Sequence, residues 1–337
     1  MAMRVAVMGA TGYTALELLK LLIRHPHVEI IALTTRQEGR PHVSDVHPEL
    51  RGLLDLNLET LDVESLAERV DVVFSCLPHA ASAKCVKPLV DSGVKVVDFS
   101  ADYRLHEVGV YEQWYGGTHV DADRVGKVPY GLPELYRKDI LGVSLVANPG
   151  CYPTSVILPL FPLLRNGIIE ATGVIVDSKS GVTGAGRTAK LPFHYPECNE
   201  SIKAYGVGTH RHTPEIAQFL TQAAGSPADV IFTPHLVPMN RGILSTCYVT
   251  PKEGMTARHA IQTLEDAYAD EPFIRITPTP PETRAVSNTN FVDLHVAQSG
   301  DRLVVLSCLD NVIKGASGAA VQNFNLICGY DETTALL

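Results

Sequence analysis

The first apolar run, Met3-Arg4-Val5-Ala6-Val7-Met8, reads as a strand. Gly9-Ala10-Thr11-Gly12-Tyr13-Thr14-Ala15 forms the turn after it, and Ala15, Leu18, Leu19, Leu22 and Ile23 then recur at helical spacing on one face. Pro26 stops that helix, and the almost unbroken apolar run 28–33 suits a strand buried on both faces. Together these make a βαβ unit. Further strands are expected at 71–77 and 94–99, with a helix at 80–90 between them and a strand end at 144–147. Residues 106–142 carry Gly116-Gly117, Pro129 and Pro133, and read as loop-rich without a catalytic motif. After residue 150 the texture changes. Strands are expected at 174–178, 231–236, 243–250, 290–296 and 302–309, with only one clear helix, 257–269, among the last four. Consecutive strands with few helices imply a mostly antiparallel sheet, hence an α+β second domain beside an α/β first one. Ala320, Val321, Phe324 and Ile327 share one face of a terminal helix over 316–328, which can pack on either domain.

A length of 337 residues agrees with two domains, and the net charge of −9 with scattered basic residues gives no support for nucleic-acid binding. The seven cysteines, at 76, 85, 151, 198, 247, 308 and 328, form no CxxC pair and no short-spaced framework, which suits a reducing cytosol. No charged-then-apolar leader precedes the first strand, and no apolar run is long enough for a membrane span, so a soluble, cytoplasmic protein is expected.

The first glycine turn sits where a dinucleotide fingerprint belongs. Gly9 would permit the tight turn, Gly12 would let backbone approach a pyrophosphate at the helix N-terminus, and Ala15 takes the packing position. At the end of the second strand stands Thr34-Thr35-Arg36, a guanidinium in place of the acid that would bind a ribose 2′-hydroxyl, which favours NADP over NAD. Two later strands end in Pro78-His79 and Ser100-Ala101-Asp102-Tyr103-Arg104, and Arg104 is a candidate anion clamp or an ordinary salt-bridge partner.

The densest signal is Asn148-Pro149-Gly150-Cys151-Tyr152-Pro153-Thr154, ahead of an apolar stretch that opens a helix, with Pro153 suited to its first turn. Cys151 at a helix N-terminus would be favoured as thiolate, and the unpaired N–H groups there could stabilise an oxyanion. The alternative is a buried structural Cys in a Pro/Gly turn. A second glycine-rich stretch, 180–187, follows a strand, and its backbone could meet a phosphate or carboxylate or merely connect a hairpin. His210-Arg211-His212-Thr213-Pro214-Glu215 opens a helix with Thr213 as expected N-cap. Both histidines would face one way if that segment is extended. One of the two would act as acid–base; a helix N-terminus would keep His212 neutral for that role, with His210 then holding substrate and Glu215 able to fix a tautomer. A zinc site would need more ligands than Cys198 and Glu215 supply, so no metal is expected.

These motifs, with Leu77-Pro78-His79, Asp98-Phe99-Ser100-Ala101-Asp102-Tyr103-Arg104 and Lys314-Gly315-Ala316-Ser317-Gly318, occur in one order over nearly the whole chain. The set resembles the N-acetyl-gamma-glutamyl-phosphate reductase family. Ala15 stands where members usually have Gly, and Pro159 is unusual in the helix after Cys151. The resemblance implies a Rossmann-type NADP-binding domain over 1–150 and 313–337. It also implies an inserted catalytic and oligomerisation domain over 151–312, and a homodimer or homotetramer. It implies NADPH-dependent reduction of N-acetyl-glutamyl 5-phosphate to its semialdehyde, in arginine biosynthesis, through a Cys151 thioester. Catalysis would involve Cys151, His212, His210 and Glu215. Cofactor contacts would come from Gly9, Ala10, Thr11, Gly12, Tyr13, Thr14, Arg36, Pro78, His79, Ser180, Gly181, Asn311 and Gly315. Arg104, Asn148, Arg187 and Tyr205 would contact substrate. The competing readings are a sister reductase of lysine biosynthesis acting on a carrier-linked acyl phosphate, aspartate-semialdehyde dehydrogenase, and a non-catalytic NADP sensor.

Overall fold

A computed structural model describes residues 2–36 and 38–337. The chain divides into two compact units, Met1–Pro149 with Ala316–Leu337, and Gly150–Gly315.

The first unit is built on a six-stranded sheet of β1 (Met3–Met8), β2 (Val28–Thr35), β3 (Glu59–Thr60), β4 (Val72–Ser75), β5 (Lys95–Asp98) and β6 (Leu145–Ala147). The order is β3-β2-β1-β4-β5-β6 and every pairing is parallel. This is the doubly wound order, with its switch point between β1 and β4. Alternate residues of β1 serve opposite faces, as a period of two requires. Val5 and Val7 join a core with Leu18, Leu22 and Phe74, while Ala6 and Met8 join Leu66, Val86 and Val96. The C-terminal helix Gly318–Cys328 belongs to the first of these cores, where the Phe324 ring lies 5.5 Å from that of Phe74.

Residues 106–142 are more ordered than expected, with helices Val108–Tyr115 and Pro133–Ile140. Tyr111 explains the first: its ring is buried and its hydroxyl donates to Asp102, a tertiary bond that no periodic pattern announces. The strand expected to end at 33 runs on to Thr35, because Thr34 and Thr35 pair with Glu59 and Thr60 of the edge strand β3. The helix Val63–Arg69, also absent from the expected elements, starts where the Asp62 carboxylate accepts the Ser65 N–H.

The second unit carries a seven-stranded sheet of β7 (Val174–Gly181), β8 (Lys203–Ala204), β9 (Val230–Val237), β10 (Ile243–Val249), β11 (Ile274–Ile276), β12 (Val292–Ser299) and β13 (Arg302–Leu309). The order is β11-β12-β13-β10-β7-β9-β8, antiparallel except for β7 with β9 and β11 with β12. Helices Cys151–Arg165, Thr213–Ala224 and Ala257–Ala267 accompany it. The first is buried from Tyr152 through Leu164, and this apolar burial offsets the backbone bonds lost at Pro159 and Pro162. Gly150 and residues 313–315 fall in this unit, not the first. The Gly150 N–H is bonded to Glu215 and the Gly315 N–H to Asp310, both within the unit.

Candidate active site

Cys151 is the first residue of its helix, with Gly150 as N-cap in extended conformation. No side chain caps that end, so the first-turn N–H groups face the thiol's surroundings and favour negative charge there. The buried Glu215 carboxylate accepts the Gly150 N–H at 2.9 Å, fixing the peptide just before the sulfur. On another side is Gly315, in the π-helical turn Ile313–Ser317. A β-carbon on Gly315 would lie 2.8 Å from the Cys151 β-carbon, so only glycine fits beside the thiol-bearing residue. The Gly315 N–H donates to the Asp310 carbonyl, and the buried Asp310 carboxylate takes the N–H groups of Val312 and Ile313.

His210 to Thr213 is a turn, not an extended segment, closed by Thr213 N–H donating to the His210 carbonyl. His212, not Thr213, is the N-cap of Thr213–Ala224; Thr213 is already helical, and its hydroxyl makes no hydrogen bond. The two imidazoles still meet, with centroids 4.9 Å apart. His210 Nδ1 accepts the His212 N–H at 3.1 Å, which puts the proton of the neutral ring on Nε2. Burial, helped by the Arg211 charge, lowers the His210 pKa to about 4, so the ring is neutral near pH 7. The ring of Tyr152, the residue after Cys151, lies 5.6 Å from His210 and 5.9 Å from His212. Its hydroxyl meets that of Tyr205 at 3.0 Å. Burial above all, with the Cys151 charge adding, raises the Tyr205 pKa to about 12. Nucleophile, two histidines and two tyrosines therefore form one cluster. Beside it opens a cleft of about 480 Å³ that Tyr205 and His210 help to line.

Four expected cofactor contacts of this unit also serve the fold. Ser180 and Gly181 end β7 instead of lying in the loop after it, and a Gly181 β-carbon would come within 2.7 Å of the Asn240 backbone. The buried Asn311 amide accepts the Gly242 N–H at 2.7 Å and donates to Thr183 Oγ1 at 3.0 Å, tying two turns together. Gly315 serves the approach to Cys151 described above. Arg187 is exposed and is not part of the cleft wall.

In the first unit, Gly9 has φ +74° and its α-carbon faces the Cys76 carbonyl, which a β-carbon would approach to 2.8 Å. Gly12 is the N-cap of Tyr13–Ile23, with no side-chain cap and nothing within 4 Å of where a β-carbon would stand. That open backbone at an uncapped helix start suits a dinucleotide pyrophosphate. Ala15 is fully buried in the packing position. Ala10 is held twice: its N–H donates to the Thr34 carbonyl, and its carbonyl accepts His47 Nε2–H at 2.8 Å. The buried His47 escaped the sequence reading, because nothing in His47-Pro48 signals a partner 37 residues upstream. Thr14 gives its carbonyl to the Ser317 hydroxyl at 2.7 Å, while Thr11 is half-buried and Tyr13 exposed. Arg36 is exposed just past β2.

Past β4, Pro78 is exposed, and His79 Nδ1 accepts the Ala101 N–H at 2.9 Å. The buried Asp102 carboxylate takes the N–H groups of Ala80, at φ +62°, and of Ala83. Asp98 is pushed up to about 6, first by burial and then by Asp102, although Ser82 and Ser100 donate to it. Arg104 is buried, with Nε donating to the Asn148 carbonyl at 2.7 Å and Nη2 to the Phe99 carbonyl at 2.6 Å. Much of its guanidinium therefore positions backbone. Asn148 is fully buried, its amide donating to the Ala316 carbonyl and accepting from Asn323. Among the described residues no group of three or more His, Cys, Asp or Glu is placed to hold a metal ion.

Comparison with known proteins agrees with this division. Residues 4–143 match the family model described as semialdehyde dehydrogenase, NAD binding domain, and residues 151–311 match semialdehyde dehydrogenase, dimerisation domain. An N-acetyl-gamma-glutamyl-phosphate reductase of Rhodopirellula baltica is 50% identical, over 99% of this chain and 98% of that one. The protein of the same name from Desulforudis audaxviator is 47% identical, again over 99% and 98%. Among solved structures, aspartate semialdehyde dehydrogenase II from Vibrio cholerae superposes with a TM-score of 0.72 at 18% identity, covering 98% of this chain and 99% of that one. Aspartate semialdehyde dehydrogenase with NADP from Candida albicans gives 0.71 at 16% identity, over 97% and 99%. At such identities these two establish the fold.

Proposed function

The chain belongs to the N-acetyl-gamma-glutamyl-phosphate reductase family, and on that premise we propose that it reduces N-acetyl-L-glutamyl 5-phosphate to the 5-semialdehyde with NADPH, in arginine biosynthesis in the cytoplasm. The observation that carries the reading is Cys151 at an uncapped helix start, its preceding peptide held by Glu215 and two imidazoles grouped around the next residue.

The Cys151 thiolate attacks the acyl carbon, the bond from that carbon to the phosphate oxygen breaks, and inorganic phosphate leaves a thioester. First-turn N–H groups of the helix stabilise the oxyanion that forms on the way. NADPH, when bound by Gly9, Ala10, Thr11, Gly12, Tyr13, Thr14 and Arg36 with Pro78 and His79 beside it, supplies hydride. His212 gives a proton to the oxyanion that reduction of the thioester leaves, and takes it back as the carbon–sulfur bond breaks and thiolate returns. His210, neutral and with Nε2–H available to donate, holds a substrate oxygen. Arg104 anchors the two backbone segments at the carboxyl ends of β5 and β6.

A homo-oligomer is part of the reading. Ile231, Ile175 and Tyr248 are cross-strand neighbours on β9, β7 and β10, and all three are exposed on the sheet face away from the buried alternate positions. Such a stripe on a domain of the dimerisation type suits a second copy.

The test is NADPH oxidation with N-acetylglutamyl phosphate, aspartyl phosphate and a carrier-linked acyl phosphate. The N-acetylglutamyl ester should be strongly preferred, and Cys151→Ser should abolish turnover while leaving NADPH binding intact. Preference for another ester, or substantial activity in the Ser variant, would overturn the reading.

A further inference from the structure

Serine hydroxyls are buried where the sheet of the second unit meets the helix Cys151–Arg165. Ser178, Ser245 and Ser307 stand side by side on β7, β10 and β13, because Ser245 is in register with the other two. They share a sheet face with the buried Val176, Cys247 and Val305, two residues before or after them on the same strands. The helix packs on β10 and β13 and adds Ser155 to the group. All of these serines are fully buried. Alanine would fill such an apolar layer without a polar group to satisfy, so the hydroxyls call for a reason. Counting hydrogens gives the group a direction, since each hydroxyl has one to donate. Ser155 donates its own to the Tyr152 carbonyl at 2.8 Å. The 2.7 Å contact between Ser155 and Ser245 is therefore donated by Ser245, and the 2.7 Å contact between Ser245 and Ser178 by Ser178. The chain runs one way, from Ser178 through Ser245 and Ser155 to the carbonyl of the residue after Cys151, and bonds aligned like this strengthen one another. On the other side of Cys151 the Gly150 carbonyl accepts the Thr154 hydroxyl at 3.0 Å. The carbonyls of both neighbours of the thiol-bearing residue thus meet a hydroxyl hydrogen, which offsets the negative charge they would otherwise turn on a thiolate. Ser307 stands apart: its hydroxyl, equally buried, has no hydrogen-bond partner among the described residues.

We propose that Ser178, Ser245 and Ser155 are positioning residues for the nucleophile: a hydroxyl chain that ties the first turn of its helix to the sheet and points its positive end at that turn. The inference rests on Cys151 being the nucleophile of the function proposed above. Apolar contact alone holds a helix on a sheet loosely along its length, because the hydrophobic effect has no direction. A hydrogen bond weakens steeply away from its proper length and angle, so a chain of them fixes the register. The serine chain sets the place of the Tyr152 carbonyl, while Glu215 sets that of the Gly150 N–H. Cys151 lies between these two anchors, and neither of them touches the sulfur's reaction partner.

Ser245→Ala breaks the chain at its middle, and Ser307→Ala makes the same chemical change one strand away, at a hydroxyl that holds nothing. Two readouts are compared: steady-state kinetics with N-acetylglutamyl phosphate, and the rate at which iodoacetamide alkylates Cys151, followed by mass spectrometry of its peptide. Ser245→Ala should lower kcat by about five- to tenfold with KM hardly moved, and slow the alkylation by about threefold. Ser245→Thr, which keeps the hydroxyl, should recover most of both. Ser178→Ala leaves the two bonds nearest Tyr152 in place and should have a smaller effect of the same kind. Ser307→Ala should leave both readouts unchanged and keep or raise the melting temperature. A folded Ser245→Ala enzyme that matches Ser307→Ala in kcat and in alkylation would overturn the inference. If Ser245→Ala does not fold, identical behaviour of Ser178→Ala and Ser307→Ala would overturn it equally. A wild type inert toward the ester would overturn the parent function, and the alkylation contrast, which needs no substrate, would then decide the role of the chain alone.

Discussion

Gly315→Ala is the substitution whose effect follows most directly from distances. The added methyl would stand 2.8 Å from the Cys151 β-carbon and 3.3 Å from both its α-carbon and the Asp310 carbonyl oxygen. Ordinary contact begins near 3.4 Å, so about 0.6 Å must be found. Gly315 has little room to retreat, because its N–H is bonded to the Asp310 carbonyl and the Asp310 side chain is buried and holds the same turn. Cys151 is the partner that shifts, although Glu215 restrains the peptide before it. Overpacking of this kind costs about 1–3 kcal/mol of stability. The chemistry should suffer more, since a misplacement of ~1 Å at a reacting group can cost about 100-fold. Gly315 has a negative φ, so backbone strain adds nothing and the effect is steric. Rapid-mixing measurement of thioester formation should show acylation slowed by about 30- to 100-fold, with NADPH affinity unchanged and thermal unfolding still cooperative. A folded Ala variant that acylates at the wild-type rate would refute the reasoning.

Arg36→Asp should move the kcat/KM ratio from NADPH toward NADH by at least about tenfold, because it removes the phosphate partner and offers an acceptor to the ribose hydroxyl; an unmoved ratio would make Arg36 a surface residue only. His47→Leu should raise the dissociation constant for NADPH by about five- to tenfold through loss of the bond to the Ala10 carbonyl, with kcat little changed, while His47→Gln, which keeps a donor near Nε2, should recover most of the affinity. Equal affinities in the two variants, measured by fluorescence titration, would contradict that role. The folded pKa of His210, near 4, lies below the ordinary 6.5, so its contribution to stability is complete above pH 6.5 and is lost as pH falls toward 4. Denaturant unfolding at pH 7 and pH 5 should show this loss, and His210→Asn should reduce it; an unchanged pH slope in the variant would count against a neutral, buried His210.

What the sequence determined by itself was local. The βαβ start, the glycine turn and the opening of a helix at Cys151 were legible because strand period, helix period and the Gly/Pro punctuation act over a few neighbours. The antiparallel bias of the second sheet was legible too, from strands that follow one another without intervening helices. Tertiary structure decided which residues close on the nucleophile. Glu215 holds the Gly150 peptide from 65 residues away, and Gly315 reaches Cys151 from the far end of the second unit. It also withdrew the Asn148 amide into bonds with Ala316 and Asn323, and bound the Ala10 carbonyl to His47. A buried donor or acceptor must find a partner, but its residue type does not say which distant carbonyl or amide that partner will be. The docking of the terminal helix shows the same limit. Its apolar face was readable in the spacing of Ala320, Val321, Phe324 and Ile327, whereas its place in the first unit's core depended on a complementary surface built from residues hundreds of positions earlier.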